Sequence, residues 1–265
     1  MFDKKYYFLA GLPRSGNTLL SSILNQNPKI NVSANSYLST ILFNTLNIRS
    51  NLAFHNFPDI KSVEDCASLF FKSYYKSWKG KIIIDRSSWG TTANLKILKK
   101  FCPNELKFIC PIRRLDEILC SFIVQYNKNG LLDITNKNEV EKHCYGMMEE
   151  GGVIYRGIQS VNNLSKEEYR NKVIFISYDD LCNNPKKEVD KLYDFLSIRK
   201  FKHRYKNITE YKMNGIKYND NFDPFYKDLH KLKSNIEKTR HNVEEILPQS
   251  IIKQFGDIDF NIINT

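Results

Sequence analysis

Eight consecutive residues, Gly11-Leu12-Pro13-Arg14-Ser15-Gly16-Asn17-Thr18, bring together two glycines, an arginine, two hydroxyls and an amide. The aromatic-rich run Lys5-Tyr6-Tyr7-Phe8-Leu9-Ala10 precedes them and reads as a buried strand that Gly11 stops. Leu19, Leu20, Ile23 and Leu24 follow at helical spacing, so Thr18 to Asn25 reads as a helix. A turn between a strand and a helix N-terminus is suited to an anion. The first helical turn has N–H groups that no preceding carbonyl can take, and it carries partial positive charge. Gly16 lets the backbone approach a ligand closely, and Arg14 and Thr18 add side-chain donors.

The spacing copies the nucleotide pattern GxxxxGK[ST], but Asn17 stands at the lysine position. In ATP- and GTP-binding enzymes that lysine reaches the β- and γ-phosphates, so its loss argues against an ordinary kinase or ATPase. A ligand ending in one phosphosulfate carries less charge there and needs no magnesium ion between two phosphates. Further candidates fall at the ends of other apolar runs. Arg113 and Arg114 follow Lys107-Phe108-Ile109-Cys110, and an arginine there can clamp a phosphate in fork geometry. Ser121 lies off the apolar stripe of Leu115, Ile118, Leu119, Phe122, Ile123 and Tyr126, which frees it for a ligand. Asp85 and Arg86 close Lys81-Ile82-Ile83-Ile84-Asp85, and Tyr178 follows Lys172 to Ile176.

These runs alternate with helical stretches. Ser62 to Trp78 reads as a helix capped by Ser62, Ala93 to Phe101 as another, and Pro111 is expected to stop the third strand. A long helical region covers Glu139 to Val161 with a break near Gly151-Gly152, and Asn184-Pro185 starts one more helix. The alternation predicts an α/β fold: three layers, α/β/α, around a central parallel sheet like that of P-loop nucleotide hydrolases. In such sheets ligands sit at the carboxyl ends of the strands, which is where the candidate residues fall. We expect one domain over 1–265, with 201–265 as a C-terminal segment closing over the site.

With 42% apolar and 26% charged residues, a globular chain is the default, and no apolar run is long enough to span a membrane. The N-terminus enters the first strand directly, so a cytoplasmic location is expected. The six cysteines show no CxxC or zinc-ligand spacing, so no metal is expected. The net charge of +11 suits a polyanionic ligand, but the lysines are scattered and form no basic block, so nucleic acid is not the expected partner.

Gly11-Leu12-Pro13-Arg14-Ser15-Gly16-Asn17-Thr18-Leu19-Leu20 resembles the 5′-phosphosulfate loop of sulfotransferases that use 3′-phosphoadenosine-5′-phosphosulfate (PAPS). Its flavour is that of tyrosylprotein sulfotransferases and related bacterial and phage members, although Asn17 replaces their usual Ser or Thr. Three further stretches match in order. Pro111-Ile112-Arg113 to Ser121 resembles the family's arginine and serine that hold the 3′-phosphate, with Arg114 where Asp or Asn is usual. Tyr178-Asp179-Asp180-Leu181 to Pro185 resembles a strand end whose tyrosine packs near the adenine. Leu229-His230-Lys231-Leu232-Lys233 resembles a C-terminal block that closes over the donor, with Lys231 and Lys233 as its basic residues.

The resemblance implies donor contacts by Pro13, Arg14, Ser15, Gly16, Asn17, Thr18, Arg113, Ser121, Tyr178, Lys231 and Lys233, and adenosine 3′,5′-bisphosphate (PAP) as product. Arg14 and Arg86 are its implied catalytic cations, Arg86 standing where tyrosylprotein sulfotransferases have a lysine. The glutamate of that branch has no counterpart near Asn35, so Asp85 is the expected base, ahead of His55, His143 and Glu150. The acceptor is left open among a carbohydrate, a peptide tyrosine, a lipid and a small alcohol. Two other readings stay in view, an ATP-dependent P-loop phosphotransferase and a non-catalytic module that binds nucleotide or nucleic acid.

Overall fold

The computed structural model describes residues 4–208, 212–225, 227–256, 258 and 260. Five strands form one parallel sheet: β1 (Lys5–Leu9), β2 (Ile30–Asn35), β3 (Ile82–Arg86), β4 (Phe108–Ile112) and β5 (Val173–Ser177), in the order β2-β3-β1-β4-β5. Parallel neighbours require crossover connections, and helices supply them on both faces. The helices are α1 (Asn17–Leu24), α2 (Leu38–Asn47), α3 (Ile60–Ser73), α4 (Thr92–Phe101), α5 (Leu115–Lys128), α6 (Lys137–Met148), α7 (Tyr155–Leu164), α8 (Tyr178–Asn183) and α9 (Pro185–Leu196). This is the expected three-layer α/β/α arrangement.

Side chains along a strand alternate between faces. Tyr6, Phe8, Ile83, Phe108 and Cys110 therefore enter one core, shared with α2 to α7. Tyr7, Leu9, Ile84, Ile109 and Ile176 enter the other, against α1 and α9. The same alternation sends Asp85 and Arg86 to opposite faces, although they are adjacent in sequence. Among the described residues the chain after α9 is mostly irregular and contains one small hairpin of β6 (Lys212–Met213) and β7 (Ile216–Lys217). Two short helices, α10 (Val243–Ile246) and α11 (Gln249–Phe255), follow and pack on α5.

Two local expectations change. Helix α3 starts at Ile60 because Asp59, not Ser62, caps it; the Asp59 side chain accepts from the Ser62 N–H at 3.0 Å. Pro111 does not end β4, which continues to Ile112. The missing proline N–H falls opposite the Ala10 carbonyl, at the frayed end of β1, and that carbonyl takes the Cys110 thiol at 3.6 Å instead. The Pro111 carbonyl still works in the ladder and accepts from the Leu12 N–H at 2.9 Å.

Gly11, just after β1, lies close against Pro111 of β4. A Cβ built there would lie 2.4 Å from the Pro111 carbonyl oxygen, so backbone would have to move to admit it. Gly11→Ala is expected to lower the unfolding free energy in urea by about 1–3 kcal/mol, the usual cost of forcing an extra carbon into a packed site.

Candidate active site

All five strands end at one cavity of about 560 Å³. Its wall takes Gly11, Pro13, Arg14 and Gly16 to Leu19 after β1, but not the predicted contact Ser15, with Asn35 from β2, Arg86 to Ser88 at the end of β3, Arg113 after β4 and Tyr178 after β5. The remaining wall comes from Ser121 and Phe122 of α5, from the α6–α7 turn with Arg156, Gly157 and Ser160 of α7, and from the stretch 229–239, a strap of irregular chain. Strand ends converging on one crevice are the usual ligand position in open α/β sheets.

The loop before α1 is held rigidly. Gly16 is its N-cap in the left-handed region at φ 84°, with Tyr178 closing the space where a Cβ would lie. Ser15 is fully buried and donates to the Leu12 and Pro111 carbonyls. Asn17 turns inwards and donates to the Leu12 carbonyl at 2.6 Å, while its buried Oδ1 has no partner among the described residues. Thus Ser15 and Asn17 brace the turn with their side chains, and Gly16, Asn17 and Thr18 border the cavity. Helix-start N–H groups at that position suit a phosphate or sulfate.

Two arginines flank the loop. Arg14, itself at positive φ, donates to Ser121 Oγ at 3.0 Å and to the Leu229 carbonyl of the strap. Burial, and after it the Arg113 charge, pulls Arg14 down to about 10, so it stays protonated at neutral pH. Arg113 pairs with Glu117 at 2.8 Å and donates to the Arg14 and Thr239 carbonyls. Its guanidinium stacks on the Tyr178 ring, 4.3 Å from the centroid, and Tyr178 Oη accepts from the Thr239 N–H. Arg114 points elsewhere, to Asp116 and the Gly256 carbonyl, and does not line the cavity. The structure therefore brings Arg14, Arg113, Ser121 and Tyr178 together around the Gly16 turn. Pro13, Lys231 and Lys233 also line the cavity, the last beside Glu237 at 3.5 Å.

Asp85 is not among the lining residues. Its carboxylate is fully buried under the sheet, on the Phe8 side. Ser36 Oγ at 2.7 Å, Trp89 Nε1 at 2.8 Å and Tyr75 Oη all donate to it. Burial pushes its pKa up against those three donors. The geometry is that of a structural carboxylate tying β3 to α2 and α3. His55, His143 and Glu150 do not line the cavity either. Arg86 does, because it faces the α1 side of β3, where Nη1 donates to Thr18 Oγ1 at 3.1 Å.

The sequence reading gave His230 no role. It lies on the strap within the cavity wall, and its Nδ1 is 2.7 Å from Asp220 Oδ1. A carboxylate only accepts, so Nδ1 carries the proton and Nε2 is left as acceptor. Arg86 Nη2 lies a long 3.4 Å from that Nε2, and Tyr218 stacks on the ring at 4.3 Å. Burial, then Arg86 and Arg14, pull the imidazole below the ordinary 6.5, with Asp220 opposing them, so the neutral base form dominates at pH 7. The block Leu229 to Lys233 drew attention to this stretch, but Asp220, ten residues earlier in irregular chain, gave no signal.

A family model described as the sulfotransferase family matches residues 7–203, and the chain belongs to that family. Its fold is similar to that of a sulfotransferase domain from the curacin biosynthetic pathway. The TM-score is 0.55 and the identity 16%, over 96% of this chain and 98% of that one. Sulfotransferase STF9 from Mycobacterium avium gives a TM-score of 0.50 at 12% identity, over 96% of this chain and 76% of that one. At such identities the likeness concerns the fold alone. No curated protein matches the chain by sequence.

Removing the Asp85 carboxylate strands three donors in the core. Asp85→Ala is therefore expected to cost about 3 kcal/mol in a denaturant titration, from stranded partners and lost packing together.

Proposed function

We propose that this member of the sulfotransferase family takes PAPS as donor and transfers its sulfuryl group to a hydroxyl, leaving PAP. One observation carries the reading: Arg14, Arg113, Ser121 and Tyr178, drawn from β1, β4, α5 and β5, meet around a helix-capping glycine turn that lacks the triphosphate lysine. Arg113 with Ser121 suits a 3′-phosphate, and the Tyr178 edge suits the adenine. The Gly16 turn with Thr18 suits the 5′-phosphosulfate. Among the described residues no cluster of His, Cys, Asp or Glu could hold a metal ion, and the proposed chemistry calls on the arginines to balance charge.

In the proposed transfer, His230 Nε2 takes the proton of the acceptor hydroxyl, and Asp220 stabilises the imidazolium that results. The acceptor oxygen bonds to sulfur as the bond from sulfur to the bridging oxygen breaks, and the electron pair leaves with the 5′-phosphate of PAP. Arg86 and the loop N–H groups neutralise charge growing on the bridging oxygen and the sulfuryl oxygens. We assign the base to His230 because it meets the cavity and Asp85 does not. The single-domain reading goes with this: 201–265 supplies the strap, including Lys231 and Lys233, that covers the donor.

Calorimetric titration with PAP tests the donor. Arg14→Ala and Arg113→Ala should each weaken binding by about tenfold to a hundredfold, the range for a lost charge-assisted contact. Unchanged affinity in both variants removes the assignment. His230→Gln should bind PAP like the parent yet transfer radiolabelled sulfate into extract fractions about 10²–10⁴-fold more slowly. The parent's transfer rate should fall on the acid side, with the midpoint below pH 6.5, because protonation of the depressed imidazole removes the base.

A further inference from the structure

Arg156 lines the same cavity as His230 and the Gly16 turn, yet nothing in the proposed transfer uses it. It stands in the first turn of α7 and is exposed. Among the described residues no group pairs with its guanidinium; only its carbonyl is engaged, by Ser160 Oγ at 2.8 Å. The three other arginines of the wall are committed to neighbours: Arg14 to Ser121, Arg86 to Thr18, and Arg113 to Glu117.

The position of α7 is fixed by close backbone approaches. A Cβ at Gly157 would lie 2.8 Å from Pro13 Cδ, and one at Gly90 would lie 2.6 Å from Ser160 Cβ. Asn163 adds a hydrogen bond to the Gly90 carbonyl at 3.0 Å. Helix α7 is thus seated between the Gly16 turn and the turn after β3. The proposed adenosine contacts come from β4, α5 and β5, on the other side of β1. Helix α7 thus packs by the turn after β3, and β3 and β2, which bring Asn35, Arg86 and Ser87 to the wall, lie on the side of β1 left to the acceptor in the proposed transfer.

A guanidinium in a shared wall with several other cations calls for an anion, and among the described residues Glu237 on the strap, beside Lys233, is the sole acidic residue lining this cavity. We propose that Arg156 is an acceptor-specificity residue, and that the acceptor carries an oxyanion, carboxylate or phosphate, in addition to its reacting hydroxyl. This rests on the sulfuryl-transfer reading and narrows it from any alcohol to an anionic one.

Two matched pairs test the proposal by calorimetry on the full chain saturated with PAP. They are 4-hydroxyphenylacetate against 4-hydroxyphenylacetamide, and glucose 6-phosphate against glucose. The anionic member of at least one pair should bind tenfold or more tightly than its neutral partner, and the pair that responds tells carboxylate from phosphate. Arg156→Gln should erase that difference while leaving PAP affinity within twofold. The proposal is overturned if neither pair shows the preference, including the case in which no member binds, or if the preference survives Arg156→Gln. Should the parent not bind PAP, the donor reading fails on its own; the pairs are then titrated without PAP, and the same preference decides the role of Arg156.

Discussion

The contact between Gly11 and Pro111 sets the geometry on which the cavity is built. Two parallel strands come so close at their carboxyl ends that a single added carbon would overlap a carbonyl. With that spacing, the Leu12 N–H and Ser15 Oγ both reach the Pro111 carbonyl, and the turn is pinned to β4 before α1 begins. Arg14 leaves the turn at positive φ and runs towards α5, where Ser121 receives it. Arg113 leaves β4 two residues after Pro111 and comes back to the Arg14 carbonyl. The two guanidinium groups are thus placed by one backbone approach, and their mutual repulsion is held in check by Glu117 and by strap carbonyls.

The rest of the site is a matter of which sheet face a residue occupies. Asp85 and Arg86 share a strand end and nothing else. One is enclosed by Tyr75, Trp89 and Ser36 in the larger core, and the other meets Thr18 at the cavity. Strict alternation along Ile82 to Arg86 already implied this division, because Ile83 and Asp85 must point the same way. A base was sought next to Arg86 in sequence, whereas His230, a titratable side chain beside Arg86 in space, is 144 residues away.

Much of the geometry around the Gly16 turn was legible. The strand–turn–helix at Gly11 follows from periodicity and turn chemistry, which are local, while the family resemblance pointed to Arg113, Ser121 and Tyr178. What stayed hidden depends on contacts distant in sequence. The Asp220–His230 pair sits in irregular chain with no period to betray it. Asn17 occupies the expected position, but its amide is spent on the Leu12 carbonyl, a detail that only the turn's closure decides. Pro111 looked like a strand terminator because the rule concerns a lost donor, and here the acceptor it would have met had another partner.

The strap carries Leu229, His230 and Thr239 on one stretch of chain. Its first carbonyl engages Arg14, its last engages Arg113, and the imidazole lies between them. Lifting the stretch far enough to release the two guanidinium groups also withdraws His230 from Arg86. Access to the two guanidinium groups and the contact between His230 and Arg86 are therefore tied to one stretch of chain.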